Sequence, residues 1–320
     1  MPTAPFLHVA NGASTTGTIQ AAGIPGILSI WADPLYEGPV PGDVDDDALR
    51  EIRGRYLGGD LRRWRRVIAA HDDYGELVLW YEHDLFDQLN LIQLLSWIRG
   101  RLPHEKPVSL ISVGEFPGHA DFKGLGELTP RELAPLFLTR QRVSDEQYSL
   151  ADRAWQAFRA PTPVGLDTLR ATNTSALPYL ASAFTRFLEE YPWTSDGLSR
   201  TERRLLQLAA DGPIDLLALF PRMHEGESAY YVTDLSLVGI AEELSRTSPP
   251  LATLTPGPRE GRDALMRRVS ATEAGRAVFD GRRDRVEMCG LERWFGGVRW
   301  NRNTCSWRWD PARRRMTPGA

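Results

Sequence analysis

The sequence has little lysine, little cysteine and no long apolar run, and each shortage excludes a class of protein. Lysine occurs only at positions 106 and 123, so arginine carries nearly all of the positive charge. We attribute this preference for arginine to the base composition of the genome and not to function. Lys and Arg together number 38 against 42 Asp and Glu, and the net charge is −4. A mildly acidic chain has no overall electrostatic reason to bind nucleic acid, although a local basic patch stays open.

The few cysteines and the lack of long apolar runs indicate in which cellular compartment the protein is expected. Cys289 and Cys305 are the only cysteines, and without a CxxC pair they predict neither a zinc site nor a disulfide framework. We expect two free thiols in a reducing compartment. No apolar run approaches the roughly 18 residues that a membrane helix needs, and the first residues lack the basic and apolar regions of a signal peptide. The sequence therefore predicts a cytoplasmic protein with no membrane contact.

Strand-like and helix-like segments alternate over the first 120 residues or so. Apolar segments of strand type begin at Phe6, Ile27, Leu77 and Pro107, and helical patterns separate them. This alternation predicts an α/β fold with a doubly wound, mostly parallel sheet. A chain of 320 residues is long enough to hold more than this one domain.

The composition becomes helical after Leu128, which suggests further domains. Three helical patterns over 199–245, a hairpin made by 251–255 and 264–269, and a last helix from Ser270 predict a winged helix. An aromatic tail, 291–309, predicts a further hairpin. The predicted domains are an α/β (Rossmann-like) domain at 1–125, a helical connecting segment at 126–195, and a winged-helix-like domain with the aromatic hairpin at 196–320.

Three consecutive ionisable residues, Glu82, His83 and Asp84, end the third predicted strand, and a helix follows at once. Ligands bind outside the carboxyl ends of the strands in an open parallel sheet, so we expect catalytic groups here. Histidine and carboxylates suit acid–base chemistry or a divalent ion, but no second histidine stands at ligand spacing, and no metal is assigned. Alternatively, Asp84 caps the helix and Asp87 interacts with its dipole. If the strand continued through Asp84, His83 would face away from Glu82.

Polar residues follow the other predicted strands as well, and right-handed crossovers would bring them to the same sheet edge. Asn11, Gly12 and Ser14 could let a helix N-terminus approach an anionic group, or Ser14 could simply cap that helix. Asp33 and Glu37 would form either a pocket wall or a surface turn. We predict that a small-molecule ligand contacts Asn11, Gly12, Ser14, Asp33, Glu37, Asp87 and Glu115. The cofactor is unknown.

The predicted winged helix has two alternative roles. Such a domain would bind DNA through its third helix, here 234–246, but that helix carries Asp234, Glu242 and Glu243 against Arg246 alone. A helix that faces phosphates should not be net acidic, so nucleic acid is a disfavoured partner. A packing or protein-interaction module fits the charge better. Four arginines of the hairpin could still touch phosphates, namely Arg259, Arg262, Arg267 and Arg268.

Several motifs resemble those of an uncharacterised bacterial family that is catalogued as a domain of unknown function. The resemblance covers roughly residues 6–120, and the tail resembles that of longer members. Position 13 is alanine, where many members carry a small acidic residue. The resemblance implies no reaction, substrate or catalytic residue, and nothing functional follows from it beyond where the motifs lie. The motifs are Leu7 to Ser14, Trp31 to Pro39, Leu79 to Gln88 and, in the tail, Glu292 to Gly297.

These observations lead to three hypotheses. In the first, the protein is an enzyme that binds a small polar or phosphorylated molecule at the carboxyl edge of the sheet, with Glu82, His83 and Asp84 as catalytic residues. In the second, it is a ligand-sensing regulator whose winged helix contacts DNA or a protein. In the third, it is an interaction module with a vestigial cleft. The oligomeric state is not predicted.

Overall fold

The computed structural model describes residues 4–59, 62–229, 232–301 and 306–319, without the side chains of 62–64. Cys289 is a free thiol, whereas Cys305, also expected to be free, lies outside the described residues. The first third of the chain follows the predicted alternation of strands and helices. Its elements are β1 (Ala4–Ala10), α1 (Ala13–Ala21), β2 (Ile27–Ile30), α2 (Asp46–Leu57), α3 (Arg62–Ala69), β3 (Tyr74–Glu82), α4 (Leu85–Arg99) and β4 (Val108–Val113).

The middle of the chain is mainly helical, as its composition predicts. Thr129 and Ser144 each begin a helix with a reciprocal hydrogen bond to the third helical residue. The first of these helices is short and continues as a 3₁₀ helix over Ala134–Thr139. The elements are α5 (Pro130–Leu133), β5 (Gln141–Arg142), α6 (Asp145–Phe158), α7 (Val164–Leu169) and α8 (Leu180–Leu188).

A mostly parallel sheet of five strands forms the centre of the fold. Its order is β2-β1-β3-β4-β5. The four long strands run parallel to one another, and β5 joins β4 antiparallel. The α/β class with a parallel sheet is thus confirmed, and β5 shows that the middle segment also contributes to this sheet.

Apolar side chains cover both faces of the sheet. Leu77 and Leu79 of β3 belong to one buried cluster, which includes the α4 side chains. Val78 and Trp80 belong to a second cluster, on the side of α1 and α5. Because β3 lies in the middle of the sheet, both of its faces are buried, which explains why its sequence is a continuous apolar run and not an alternating one.

The C-terminal third holds a small three-stranded antiparallel sheet and two separate two-stranded hairpins, where the sequence predicted one aromatic hairpin. No described helix has both the length and the apolarity needed to cross a membrane. The elements are α9 (Arg200–Leu208), β6 (Ile214–Asp215), α10 (Leu216–Met223), α11 (Asp234–Arg246), β7 (Ala252–Leu254), α12 (Arg262–Leu265), β8 (Arg268–Ala271), α13 (Glu273–Phe279), α14 (Arg285–Cys289), β9 (Glu292–Phe295), β10 (Val298–Asn301), β11 (Arg308–Asp310) and β12 (Arg315–Thr317).

Candidate functional site

The candidate site lies where the carboxyl ends of β1 and β3 meet. These strands are neighbours in the sheet, with Ala10 opposite Trp80. From β1 the chain continues outward to β2, and from β3 it continues outward in the other direction to β4. Such a reversal of strand order leaves a crevice between the two strand ends, and this is where open α/β sheets bind ligands. Asn11 and Glu82 stand at that position.

A tight turn between β3 and α4 places three carboxylates together. Glu82 is the last residue of β3, and Asp84 is the N-cap of α4, where its Oδ1 accepts the backbone N–H of Asp87 at 2.8 Å. Asp87 lies in the first turn of the helix, and its Oδ2 accepts the backbone N–H of Glu82 at 2.5 Å. The capping role expected as an alternative for Asp84 is therefore present, and it helps to build the cluster.

The three carboxylates are buried and close to one another. Glu82 is 4% exposed, Asp84 8% and Asp87 0%. Each offers an oxygen, and these oxygens all lie within 4.8 Å of one another. The amide of Asn11 donates to Asp87 Oδ1 at 2.7 Å and approaches Glu82 Oε2 at 3.5 Å. The backbone N–H of Leu125 donates to Glu82 Oε1 at 2.5 Å.

Burial makes it costly for all three groups to carry a charge at once. It raises the pKa of Glu82 to about 8, and the nearby Asp84 carboxylate adds to this rise. It also raises the pKa of Asp84 to about 6. The pKa of Asp87 lies well above its usual value, because burial and the charges of Glu82 and Asp84 act together. Near neutral pH the cluster therefore holds at least one proton, unless a cation replaces it.

Two chemical uses fit this arrangement. A buried carboxyl group with a pKa near 8 can donate or accept a proton close to neutral pH, as a general acid or base does. Alternatively, Glu82, Asp84 and Asp87 could hold a divalent cation. Their ligand atoms are all oxygens, which suits a hard ion such as Mg²⁺ or Ca²⁺. A cation would favour the ionised carboxylates and reverse the pKa shifts.

The predicted Asn11, Gly12 and Ser14 all lie at this edge, but only Asn11 contacts the carboxylates. Gly12 is the N-cap of α1 and provides no side-chain cap. Ser14 is exposed, and its hydroxyl donates to the backbone carbonyl of Gly126 at 3.2 Å. Thr15, which the sequence did not indicate, is buried and donates to Asn11 Oδ1 at 3.4 Å. Thr15 therefore helps to orient the Asn11 amide.

His83 belongs to a different group of side chains. It is half-buried, and its ring lies 6.3 Å from that of Phe122 and 6.0 Å from that of Tyr179. Burial lowers the pKa of His83, and the positive charge of Lys123 lowers it further, while the nearby Val113 carbonyl opposes them. Its Nδ1 is buried and makes no well-formed hydrogen bond within the described part of the chain. The cluster of three carboxylates does not include it.

Asp33 and Glu37 have partners elsewhere. Asp33 is buried and accepts a bidentate ion pair from Arg53, which also donates to the backbone carbonyl of Glu37 at 2.6 Å. Glu37 is half-buried, and it accepts a hydrogen bond from Ser236 of α11 at 2.9 Å. The pair of Asp33 and Arg53 therefore fixes the 33–37 loop, and Glu37 joins that loop to the C-terminal region.

Glu115 is the last of the predicted residues, and Gly124 is a residue that the sequence predictions did not include. Glu115 is exposed and lies beside Tyr179. Burial raises the pKa of Tyr179, and the charge of Glu115 raises it further. Gly124 lies directly against the Glu82 carboxylate, and a Cβ at that position would collide with it. Gly124 allows the Leu125 backbone to reach Glu82. The residues predicted from the sequence included neither Gly124 nor Leu125, and the glycine at 124 was the signal that could have indicated this close contact.

No protein-family model matches the chain, and no curated protein matches it. What the site can do therefore follows from its own residues.

Proposed function

We propose that the protein is an enzyme that binds a small polar or phosphorylated molecule at the carboxyl edge of the sheet. One observation carries the proposal. Glu82, Asp84 and Asp87 are buried together in the crevice between the ends of β1 and β3, and Asn11 bridges two of them. Burying like charges is costly, and groups arranged in this way in a cleft are typical of functional sites.

Glu82 is the proposed proton-transferring residue. Its pKa of about 8 leaves a sizeable fraction of both protonation states near neutral pH, which general acid–base catalysis requires. Asp84 adds to the rise of that pKa, and Asp84 and Asp87 are the proposed co-ligands of a cation. The two uses predict different substrates. Without a cation the carboxylates repel phosphate, so the substrate is a neutral polar molecule, whereas a bound cation would attract a phosphorylated one.

A comparison of variants on a mixture of metabolites tests this proposal. We expect the wild-type protein to deplete at least one small polar metabolite in a cell extract with added Mg²⁺, as mass spectrometry would show. The Glu82→Gln variant should lose this activity, because glutamine cannot transfer the proton. Glu76→Gln is the matched control, since Glu76 lies on the same strand but pairs with Arg140 far from the cluster. Equal depletion by wild-type and Glu82→Gln proteins would contradict the proposal.

A second candidate is a ligand-sensing regulator with a winged-helix-like domain. The order α9, β6, α10, α11, β7, α12, β8 supports such a domain, as does the pairing of β8 between β6 and β7. The contacts of Glu37 and Tyr36 with Ser236, at 2.9 and 3.3 Å, join the N-terminal loop to the first turn of α11. A ligand at the sheet edge could act on α11 through this contact.

The charges of this region favour a protein partner over DNA. Arg267, one of the arginines considered for phosphate contact, is buried and donates to Glu242 Oε1 at 2.7 Å. Glu243 of α11 pairs with Arg285 and Arg293. Fluorescence anisotropy with a random DNA duplex at low salt tests the DNA role. Binding that Arg262→Glu weakens would favour the regulator, and the absence of binding would leave only a protein partner for this region.

We propose that the chain belongs to the family that its motifs resemble, and the structure shows where these motifs lie. The motifs of residues 7–14 and 79–88 contribute Asn11, Glu82, Asp84 and Asp87 to one cluster, and the motif of residues 31–39 contains the loop fixed by Arg53. We propose that this cluster is the shared functional feature of that family. An alignment in which these four positions varied freely would contradict this proposal.

A further inference from the structure

A second groove lies on another side of the molecule, where three distant parts of the chain meet. These are the loop at residues 40–44, the end of α6, and the turn between β9 and β10. The backbone N–H of Val40 donates to the carbonyl of Gly296 at 2.9 Å, and that of Gly297 donates to the carbonyl of Phe158 at 3.0 Å. The groove between them has a volume of about 640 Å³, which is within the range of small-molecule sites.

The floor of this groove depends on close backbone contacts. A Cβ at Gly42 would lie 2.5 Å from the carbonyl oxygen of Arg159, and one at Gly296 would lie 2.5 Å from that of Phe158. Gly296 also has a φ of +58°, which favours glycine. The guanidinium of Arg159 donates to the carbonyls of Pro41 and Val44 at 2.8 and 2.6 Å. These contacts make the groove a preformed feature. The tail motif, which has no role in the carboxylate cluster, provides this turn.

Aromatic and polar groups line the groove. Trp155 is buried, and Trp294 is half-buried. Within the described residues neither indole N–H donates a hydrogen bond, and the exposed Gln156 side chain has no partner. The exposed Asp43 carboxylate forms no hydrogen bond there, but it interacts electrostatically with Arg159. Arg299 pairs with Glu292, but both side chains are more than half exposed, so this pair contributes little and can open.

The groove carries charges of both signs. A cation would be repelled by the guanidinium groups of Arg159 and Arg299, and an anion would be repelled by the carboxylate of Asp43, which interacts with Arg159. A neutral ligand with many hydroxyl groups avoids both, because each hydroxyl can donate to a carboxylate and accept from an indole, amide or guanidinium N–H. The apolar faces of sugar rings can also pack against tryptophan. We propose that this groove is a carbohydrate-binding site, separate from the carboxylate cluster.

Isothermal titration calorimetry with defined probes tests this site. The probes are cellotriose, maltotriose and N,N′,N″-triacetylchitotriose, with AMP and choline as the anionic and cationic comparisons. We expect at least one trisaccharide to bind with a Kd of about 1 mM or tighter, and more tightly than AMP or choline. Asp43→Ala and Gln156→Ala should each weaken this binding by about tenfold, since each removes a hydrogen bond. Both side chains are exposed, so these variants should fold.

Three controls separate the outcomes. Gln207→Ala, which removes an exposed glutamine of α9, and Glu82→Gln, in the carboxylate cluster, should leave trisaccharide affinity unchanged. Trp294→Ala should abolish the binding while circular dichroism confirms the fold. Absence of binding by all three trisaccharides at about 10 mM, or tighter binding of AMP or choline, would overturn the proposal. Binding that neither Asp43→Ala nor Gln156→Ala weakens would place the sugar elsewhere and would also overturn it.

Discussion

Asn11 and Asp87, which are 76 positions apart, meet at 2.7 Å between Nδ2 and Oδ1. Asn11 follows β1, and Asp87 lies in the first turn of α4. Because Asp87 also accepts the backbone N–H of Glu82, this one carboxylate ties together the ends of two neighbouring strands and the start of a helix. The Asp87 carboxylate forms these hydrogen bonds only when the sheet is assembled. The local structure is therefore sensitive to the protonation state of Asp87.

The stability of the protein should depend on the charge of the carboxylate cluster. The pKa of Glu82 rises from 4.5 to about 8 on folding, so the folded state binds more protons than the unfolded state between these two pH values. The free energy of unfolding should therefore fall as the pH rises through this window and level off above it. Glu82→Gln should flatten this dependence, and Glu76→Gln should keep the wild-type slope. Urea unfolding at a series of pH values, with EDTA present, measures both. If the free energy of unfolding of the wild type instead rose between these two pH values, ionisation of the cluster would not destabilise the folded state.

A cation in the cluster should be detectable through Asn11. Asn11→Asp would replace the bridging amide with a fourth carboxylate, and the added charge should lower the free energy of unfolding by about 3 kcal/mol in EDTA. Excess Mg²⁺ or Ca²⁺ should restore about 2.7 kcal/mol at a hundredfold excess over its Kd. Asn173→Asp, at an exposed asparagine, is the matched control and should show neither effect. If cations do not stabilise the Asn11→Asp variant, the cluster functions through protons alone.

Asp33 should behave as a structural residue, although the sequence placed it among the ligand-binding positions. Asp33→Asn would leave the buried guanidinium of Arg53 without its charge partner. We expect the free energy of unfolding to fall by about 3–5 kcal/mol, while the affinity for any cation at the carboxylate cluster stays the same. Chemical denaturation and cation titration of the same sample measure the two quantities. A selective loss of cation affinity at unchanged stability would return Asp33 to the binding site.

The sequence was informative where a local pattern determines the structure. Apolar runs and capping residues predicted the strands of the sheet and the helices between them, and Asp84 could be recognised as a helix cap. The rule that ligands bind at strand ends placed Asn11 and Glu82 at the same edge. The positions of Arg53 beside Asp33 and of Leu125 beside Glu82 could not be predicted, because such long-range contacts depend on how loops pack and not on periodicity. His83 follows Glu82 in the sequence but has a different set of contacts. Neighbours in the sequence therefore need not belong to the same site.

Two neighbouring arginines of the C-terminal region should respond very differently to substitution. Arg267 is buried against Glu242, and it also donates to the backbone carbonyl of Thr255 at 2.9 Å. Arg267→Ala should lower the free energy of unfolding by about 3 kcal/mol, because the buried carboxylate loses its buried partner. Arg268 is more than half exposed and lies 3.6 Å from Asp215, so Arg268→Ala should change stability by less than about 1 kcal/mol. Denaturation followed by circular dichroism compares the two variants.

The same pair decides how a loss of nucleic-acid or protein binding is interpreted. Binding lost in Arg267→Ala but kept in Arg268→Ala would reflect a damaged fold, because only the second side chain is available at the surface. Binding lost in Arg268→Ala at unchanged stability would instead identify a contact surface beside β8. If Arg267→Ala proved as stable as the wild type, the ion pair with Glu242 would not hold this region together.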